Sequence, residues 1–309
     1  MSDVIAIVGP LLMIALVGFL CAKREVLSRE QVMGLGRFLV VVAIPAVLVA
    51  SLSRLDVSRV FGSDFIGAYL AVGLPLSLAF WWLARTLMHS DRIMATTMAL
   101  GVAVPNNIIL GYPLSRQVFG EASLPMFVAV VLVENAVYLP AAYLMYEAAS
   151  HEGKVSVAAV GAIARKILAN PITLSVIVGL MLAVIGIQLP ALLNRTLDLL
   201  GSSVTGMALF YVGGSLAYAK LGDINAKVGA SVGARLVLAP VIALGIAMIM
   251  PGLDDTERAL LVLFCAPPCF SILPAIAAPY GAGTLGASIQ VLTTALSVVT
   301  LPVVLYLIV

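Results

Sequence analysis

Charge is what this sequence has least of. Only 10% of its 309 residues are Asp, Glu, Lys or Arg, against about 25% in an ordinary soluble domain. With 62% hydrophobic residues and a mean hydropathy of +1.15, there is more apolar surface than a water-facing domain can bury. A soluble globular protein is thereby excluded. The net charge of +2 is spread between apolar runs rather than gathered in a patch, so nucleic acid is not an expected partner. Cysteine is scarce, and Cys21, Cys265 and Cys269 lie in or beside apolar stretches; they read as small hydrophobes, not as a disulfide framework or zinc site. The two histidines, His89 and His151, fall in loops. A membrane-embedded enzyme needs clustered His, Asp or Cys within the bilayer, so no enzyme, metal or cofactor is expected. No Gly-x-x-x-x-Gly-Lys phosphate loop occurs, which argues against an ATP-driven pump. Met1-Ser2-Asp3 carries no basic leader, so Val4–Cys21 is expected to be a retained first span rather than a signal peptide.

What is present is a series of apolar runs. At about 20 residues per bilayer crossing, ten spans are expected: residues 4–21, 35–52, 61–84, 92–116, 123–147, 166–187, 193–217, 228–249, 257–280 and 285–309. The fold class is therefore an all-α polytopic membrane protein with ten transmembrane helices. Residues 1–150 and 166–309 form two five-helix halves joined by a cytoplasmic link at 151–165, which holds His151, Glu152, Gly153 and Lys154. Twelve of the 17 basic residues, Lys154 and Lys220 among them, lie in or beside the loops after odd-numbered spans; Arg54, Arg59, Arg116, Arg195 and Arg258 lie on the other side. The positive-inside rule places the odd loops in the cytoplasm and both termini outside.

The halves share a proline pattern. Pro105 and Pro267 are 162 residues apart, as are Pro140 and Pro302, while Pro75 and Pro240 are 165 apart. A gap-free overlay sets Val104-Pro105-Asn106 on Ala266-Pro267-Pro268 and Val137–Pro140 on Val299–Pro302. Because five is odd, the second half enters the membrane in the opposite sense, giving an inverted repeat of the kind secondary transporters use.

Pro105 interrupts an apolar run and is followed at once by Asn106 and Asn107. Proline removes a backbone donor, and unsatisfied amides are expensive in hydrocarbon, so a broken helix lining a polar cavity is expected. The second break spans Cys265–Pro274 and is richer in proline and poorer in amide. Broken fourth and ninth helices would cross near the bilayer centre, their half-helix N-termini suiting an anion and their free carbonyls a cation. The candidate substrate-binding residues are Pro105, Asn106, Asn107, Tyr112, Pro267, Pro268 and Tyr211. Against this, the asparagines could merely cap a kink, Tyr112 could merely pack, and Gly213 and Gly214 beside Tyr211 suit helix packing.

Glu134-Asn135 lies midway along the fifth span. A carboxylate at that depth costs roughly 2.5–3.5 kcal/mol, so it is read as the proton or sodium coupling site; bonding to the backbone freed by Pro105 is the plainer alternative. Gln290, Thr293, Thr294 and Ser297 form a stripe along the tenth span, opposite Glu134 in the overlay, that could face a transport core or bond between helices. Arg37 and Arg235 could pair with a substrate carboxylate, but snorkelling to the interface is the expected reading.

Ten spans, a Pro-Asn break in the fourth and a proline break in the ninth resemble the auxin efflux carrier family. Asn106-Asn107-Ile108-Ile109-Leu110-Gly111-Tyr112-Pro113-Leu114 looks like that family's asparagine-to-Gly-x-Pro-Leu signature. Without a long central hydrophilic loop, the chain is similar to the bacterial branch, which includes proposed malonate carriers. The resemblance implies the crossover fold of bile acid/sodium symporters and the NhaA antiporter, with scaffold and transport subdomains each drawn from both repeats. It also implies a bacterial inner-membrane homodimer that moves a small carboxylate, its crossover prolines Pro105 and Pro267 or Pro268 and its asparagine Asn106 or Asn107. Many relatives have a polar residue where Pro268 stands. The alternatives are a sodium- or proton-coupled cation antiporter or bile-acid-type symporter of the same fold, and a ligand-binding membrane sensor.

Overall fold

The computed structural model describes residues 2–55, 58–62, 64–151, 155–218 and 224–308. Met1, Glu152, Gly153, Lys154, Lys220 and Val309, which entered the start, link, charge count and last span above, lie outside them, as does the side chain of Arg59. Every named element among the described residues is helical. Six helices among the described residues are long and apolar enough to cross a membrane, or seven if Val157–Leu168 and Pro171–Ile185 count as one broken span. The stretch expected to be a link is largely helical, its helix Val157–Leu168 running on into the start of the expected sixth span. Asn170 then caps a new helix by accepting from the Ile172 N–H at 2.9 Å, with Pro171 at the first helical position, where its missing donor costs nothing.

The chain divides into two units. The first takes Met1–Ser63, Ile108–Leu132 and Leu168–Ala219. In it, Ser2–Lys23 packs along Val204–Ala217 at a distance only glycine permits. A Cβ on Gly213 would stand 1.7 Å from the Ala15 carbonyl oxygen, and one on Gly18 would stand 2.1 Å from that of Phe210. Of the glycines beside Tyr211, Gly213 thus serves close backbone approach, while Gly214 makes room for the Val32 side chain. Ser28 and Gln31 form a reciprocal capping box that starts the helix Arg29–Phe38, and at the far end of that span Arg54 bonds Asn194 and Asp198.

The second unit takes Asp64–Asn107, Val133–Ile167 and Lys220–Val309. Its centre is the helix Arg92–Ala103, which Asp91 caps from its side chain to the Met94 N–H. Residues 95–103 are all buried. A sequence apolar on every face, Ala95-Thr96-Thr97-Met98-Ala99-Leu100-Gly101-Val102-Ala103, suits a helix wrapped by others. Around it lie Phe65–Thr86, Leu139–Ser150, Ala226–Gly233 and Gly283–Ile308.

Among the described residues, the helices widen into a π-helical turn at four places: Leu39–Ala43, Asn107–Gly111, Glu134–Tyr138 and Ala234–Leu238. Each stands just ahead of a proline: Pro45, Pro113, Pro140 and Pro240. A proline ring inside a helix clashes with the carbonyl four residues back, and the wider turn moves that carbonyl aside. At three of the four, the residue before the proline donates to the first carbonyl of the widened turn: Ile44 to Leu39, Leu139 to Glu134 and Ala239 to Ala234.

Candidate functional site

Both breaks expected from proline are present, and both lie in the second unit. The helix Arg92–Ala103 ends at Val104, whose backbone turns extended; Asp255–Phe264 ends at Cys265, and helix resumes only at Leu273. The two interrupted segments run antiparallel and pair as a short bridge between Pro105 and Cys269. Its hydrogen bonds run from Asn106 N–H to Pro268 O at 2.7 Å and from Phe270 N–H to Val104 O at 3.2 Å. Pro267 and Pro268 are buried beside it. Asn106 and Pro268 face one another, and the proline has no N–H with which to return the bond. The helix after the second break, Leu273–Ala277, is too short to carry a strong dipole, which corrects the expectation of two matched half-helix N-termini.

The asparagines part company at the break. Asn106 donates from Nδ2 to the Ser271 hydroxyl at 2.8 Å, joining the two interrupted segments a second time. Asn107, fully buried, donates from Nδ2 to Glu134 Oε1 at 2.8 Å and to the Tyr69 hydroxyl at 3.1 Å, while Tyr69 itself donates to the same Glu134 oxygen at 2.8 Å. The carboxyl group expected beside the break is therefore held by two donors, and it bonds side chains rather than freed backbone. Tyr138, on the same widened turn as Glu134, donates to the Tyr69 carbonyl at 2.9 Å. That approach needs Gly73, where a Cβ would lie 2.1 Å from the Tyr138 oxygen. Asn135 is buried next to Glu134. The Asn107 amide oxygen is buried with no protein partner.

Arg235 overturns the snorkelling expectation. It is 1% exposed, and its guanidinium donates from Nη1 to Val102 O at 2.6 Å and from Nη2 to Cys265 O. Both are orphan carbonyls at the C-terminal ends of the two interrupted helices; Asn106 N–H, which would have bonded Val102 O in a continuous helix, goes to Pro268 instead. The cation thus sits where two helix dipoles converge their negative ends. Arg37, by contrast, is exposed.

Of the tenth-span stripe, Thr293, Thr294 and Ser297 are buried, and the Thr293 hydroxyl accepts from Cys269 N–H at 3.2 Å, a bond that ties the stripe to the second break. Cys21, Cys265 and Cys269 are free thiols. Tyr112 and Tyr211 belong to the first unit: Tyr112 packs its ring on Phe127 with centroids 4.5 Å apart, and Tyr211 lies over Gly36. Sequence reasoning passed over Tyr69 and Ser271. Tyr69 carried a signal, since Tyr69, Asn107 and Glu134 each stand six residues before a proline: Pro75, Pro113 and Pro140.

Comparison with known proteins gives these features a setting. Residues 3–305 match the family described as "Membrane transport protein". The chain is 29% identical to a protein of Rhizobium meliloti named "Putative malonate transporter", over all of this chain and 97% of that one. It is 23% identical to the "Uncharacterized transporter YfdV" of Escherichia coli, over 85% of this chain and 84% of the relative. It is 22% identical to "Auxin efflux carrier component 8" of Arabidopsis thaliana, over 68% and 71%. These proteins are transporters and not enzymes. The chain belongs to the membrane transport protein family, the family of the auxin efflux carriers, and is an integral membrane transporter.

Proposed function

We propose that this transporter is a secondary carrier of a small organic anion, a mono- or dicarboxylate of the malonate type, with the substrate held at the paired breaks. The observation that carries the proposal is the antiparallel pairing of Val104–Asn106 with Pro268–Phe270, which sets backbone ends, an amide and a buried cation together inside one unit. Asn106 and Ser271 are the groups best placed to exchange their mutual bond for a carboxylate, because each carries a donor and Ser271 is half-buried. The malonate class follows the name of the Rhizobium relative. Coupling to H+ or Na+ is assigned to Glu134, with Asn135 beside it.

The wider architecture belongs to the same proposal. Ten spans in two inverted five-helix repeats are supported by the overlay, which places Asn106 on Pro268, the residues that face one another across the bridge. The second unit, drawn from both halves and holding the crossover, is taken as the transport part of an elevator-type carrier and the first as its scaffold. A homodimer in a bacterial inner membrane, with both termini outside, completes the reading.

Two measurements test it. Purified protein is screened for thermal stabilisation by carboxylates at millimolar concentration, and counterflow of labelled malonate is followed in proteoliposomes. Stabilisation by small carboxylates, lost in Asn106→Ala, together with counterflow, is the expected result. Absence of any carboxylate effect would end the substrate assignment, and binding without counterflow would make the protein a sensor.

A further inference from the structure

We propose that Arg235 is the resident cation of the crossover, filling the carbonyl-lined position that a coupling sodium ion would otherwise take, so that transport proceeds without sodium. The inference rests on the carrier reading above and narrows its choice of coupling ion. Where two helices break and cross, their C-terminal ends leave carbonyl oxygens without intrahelical partners, and both dipoles place negative potential there. A bare metal cation is held by such oxygens when they replace its hydration shell. In this chain Val102 O and Cys265 O are those oxygens, one from each interrupted helix, and each accepts from a different nitrogen of the same guanidinium. The guanidinium keeps its charge at any working pH. It is anchored on the widened turn Ala234–Leu238, whose following proline, Pro240, fixes where the side chain leaves its helix.

The other place a cation could sit is Glu134, where one carboxylate oxygen is already taken up. The carboxylate oxygen Oε1 already faces a phenol hydroxyl and an amide N–H, both donors. The acceptor next to it, Asn107 Oδ1, is a single neutral oxygen, and among the described residues no three His, Cys, Asp or Glu side chains gather in one place to hold a metal ion. The carbonyl end is occupied, and two donors already meet Glu134 Oε1. One further atom points toward anion rather than cation chemistry: Arg235 Nε is buried and has no protein partner, leaving a charged N–H unsatisfied close to the breaks.

The test uses the full-length protein, purified and reconstituted, with sodium chloride exchanged for choline chloride. A ligand that binds only the folded state raises the melting temperature with its concentration. The wild type is expected to show the same melting temperature and the same malonate counterflow rate in both salts. Arg235→Gln, which vacates the charge but keeps amide donors, is expected to melt lower and to gain a sodium-dependent rise that the wild type lacks. Arg235→Lys keeps a cation and is expected to remain indifferent to sodium. A sodium-dependent rise in the wild type overturns the proposal whether or not any variant folds. So does a loss of wild-type counterflow in choline, which would leave the carrier reading standing. If malonate is not carried but the wild-type melting temperature ignores sodium, the substrate assignment fails and the resident cation stands.

Discussion

At the residue scale, the buried charges of the second unit among the described residues are one carboxyl and one guanidinium, and their balance has consequences for an anion. With Glu134 ionised, its charge offsets that of Arg235; with Glu134 protonated, Arg235 is left uncompensated and the site favours an incoming negative charge. The other titratable groups near Glu134 are Tyr69, Tyr138 and Cys265, which are neutral partners at ordinary pH. Substrate affinity is therefore expected to rise as pH falls. Glu134→Gln should remove that dependence and hold the site in its acid-like state, a result read from substrate affinity measured by stabilisation across a pH series. An unchanged pH profile in Glu134→Gln would relieve the carboxyl group of the coupling role. Tyr69→Phe tests the hydroxyl separately. A hydrogen bond to a charged group contributes about 1.5–3 kcal/mol, so the variant should shift the midpoint of the pH profile upward by weakening the ionised form, while leaving the fold intact because the ring still packs on Tyr138 at 5.8 Å.

At the element scale, the prolines and the widened turns act together. Asn107 and Glu134 each begin a widened turn and Arg235 is the second residue of another, so the three polar groups of the crossover enter the interior where the helical repeat is disturbed. Replacing Pro240 by Ala restores a backbone donor and allows a regular helix to form through Ala234–Leu238. The rotation that follows should draw Arg235 away from Val102 and Cys265. Pro240→Ala is accordingly expected to impair counterflow and lower thermal stability together, although alanine is the better helix former; a variant that is more stable and fully active would deny the turn its positioning role. The same coupling explains what could be read beforehand. Pro105 and Pro267-Pro268 announced both breaks, because a proline in an apolar run leaves few alternatives, and Glu134 announced itself by its cost in lipid. Arg235 did not, since a basic residue near a helix end looks the same whether it snorkels or caps; its position five residues before Pro240 is the mark that separates the two. Tyr69, a lone aromatic in an apolar helix, was marked by its place six residues before Pro75 and by nothing else, and pairing across the breaks depends on tertiary contact that no local pattern encodes.

At the scale of the whole molecule, the two units differ in what their sequences are used for. The first is knit by backbone approach, with Gly18 and Gly213 letting Ser2–Lys23 lie directly on Val204–Ala217, and the second is knit by buried polar bonds around the crossover. Substitutions in them should therefore fail in different ways. Gly213→Ala forces a methyl group against the Ala15 carbonyl, an overpacking expected to cost about 1–3 kcal/mol, yet it touches no group of the crossover. Its melting temperature should fall while the apparent affinity for carboxylate, measured on the folded fraction, stays at the wild-type value. Asn107→Ala removes the donor that bridges Tyr69 and Glu134, and its effect should appear in affinity and pH profile well beyond any change in melting temperature. If Gly213→Ala weakens carboxylate affinity as much as Asn107→Ala does, the division into a packing unit and a chemical unit is wrong, and binding draws on both. If the two effects separate, the substrate site is confined to the unit that carries the paired breaks.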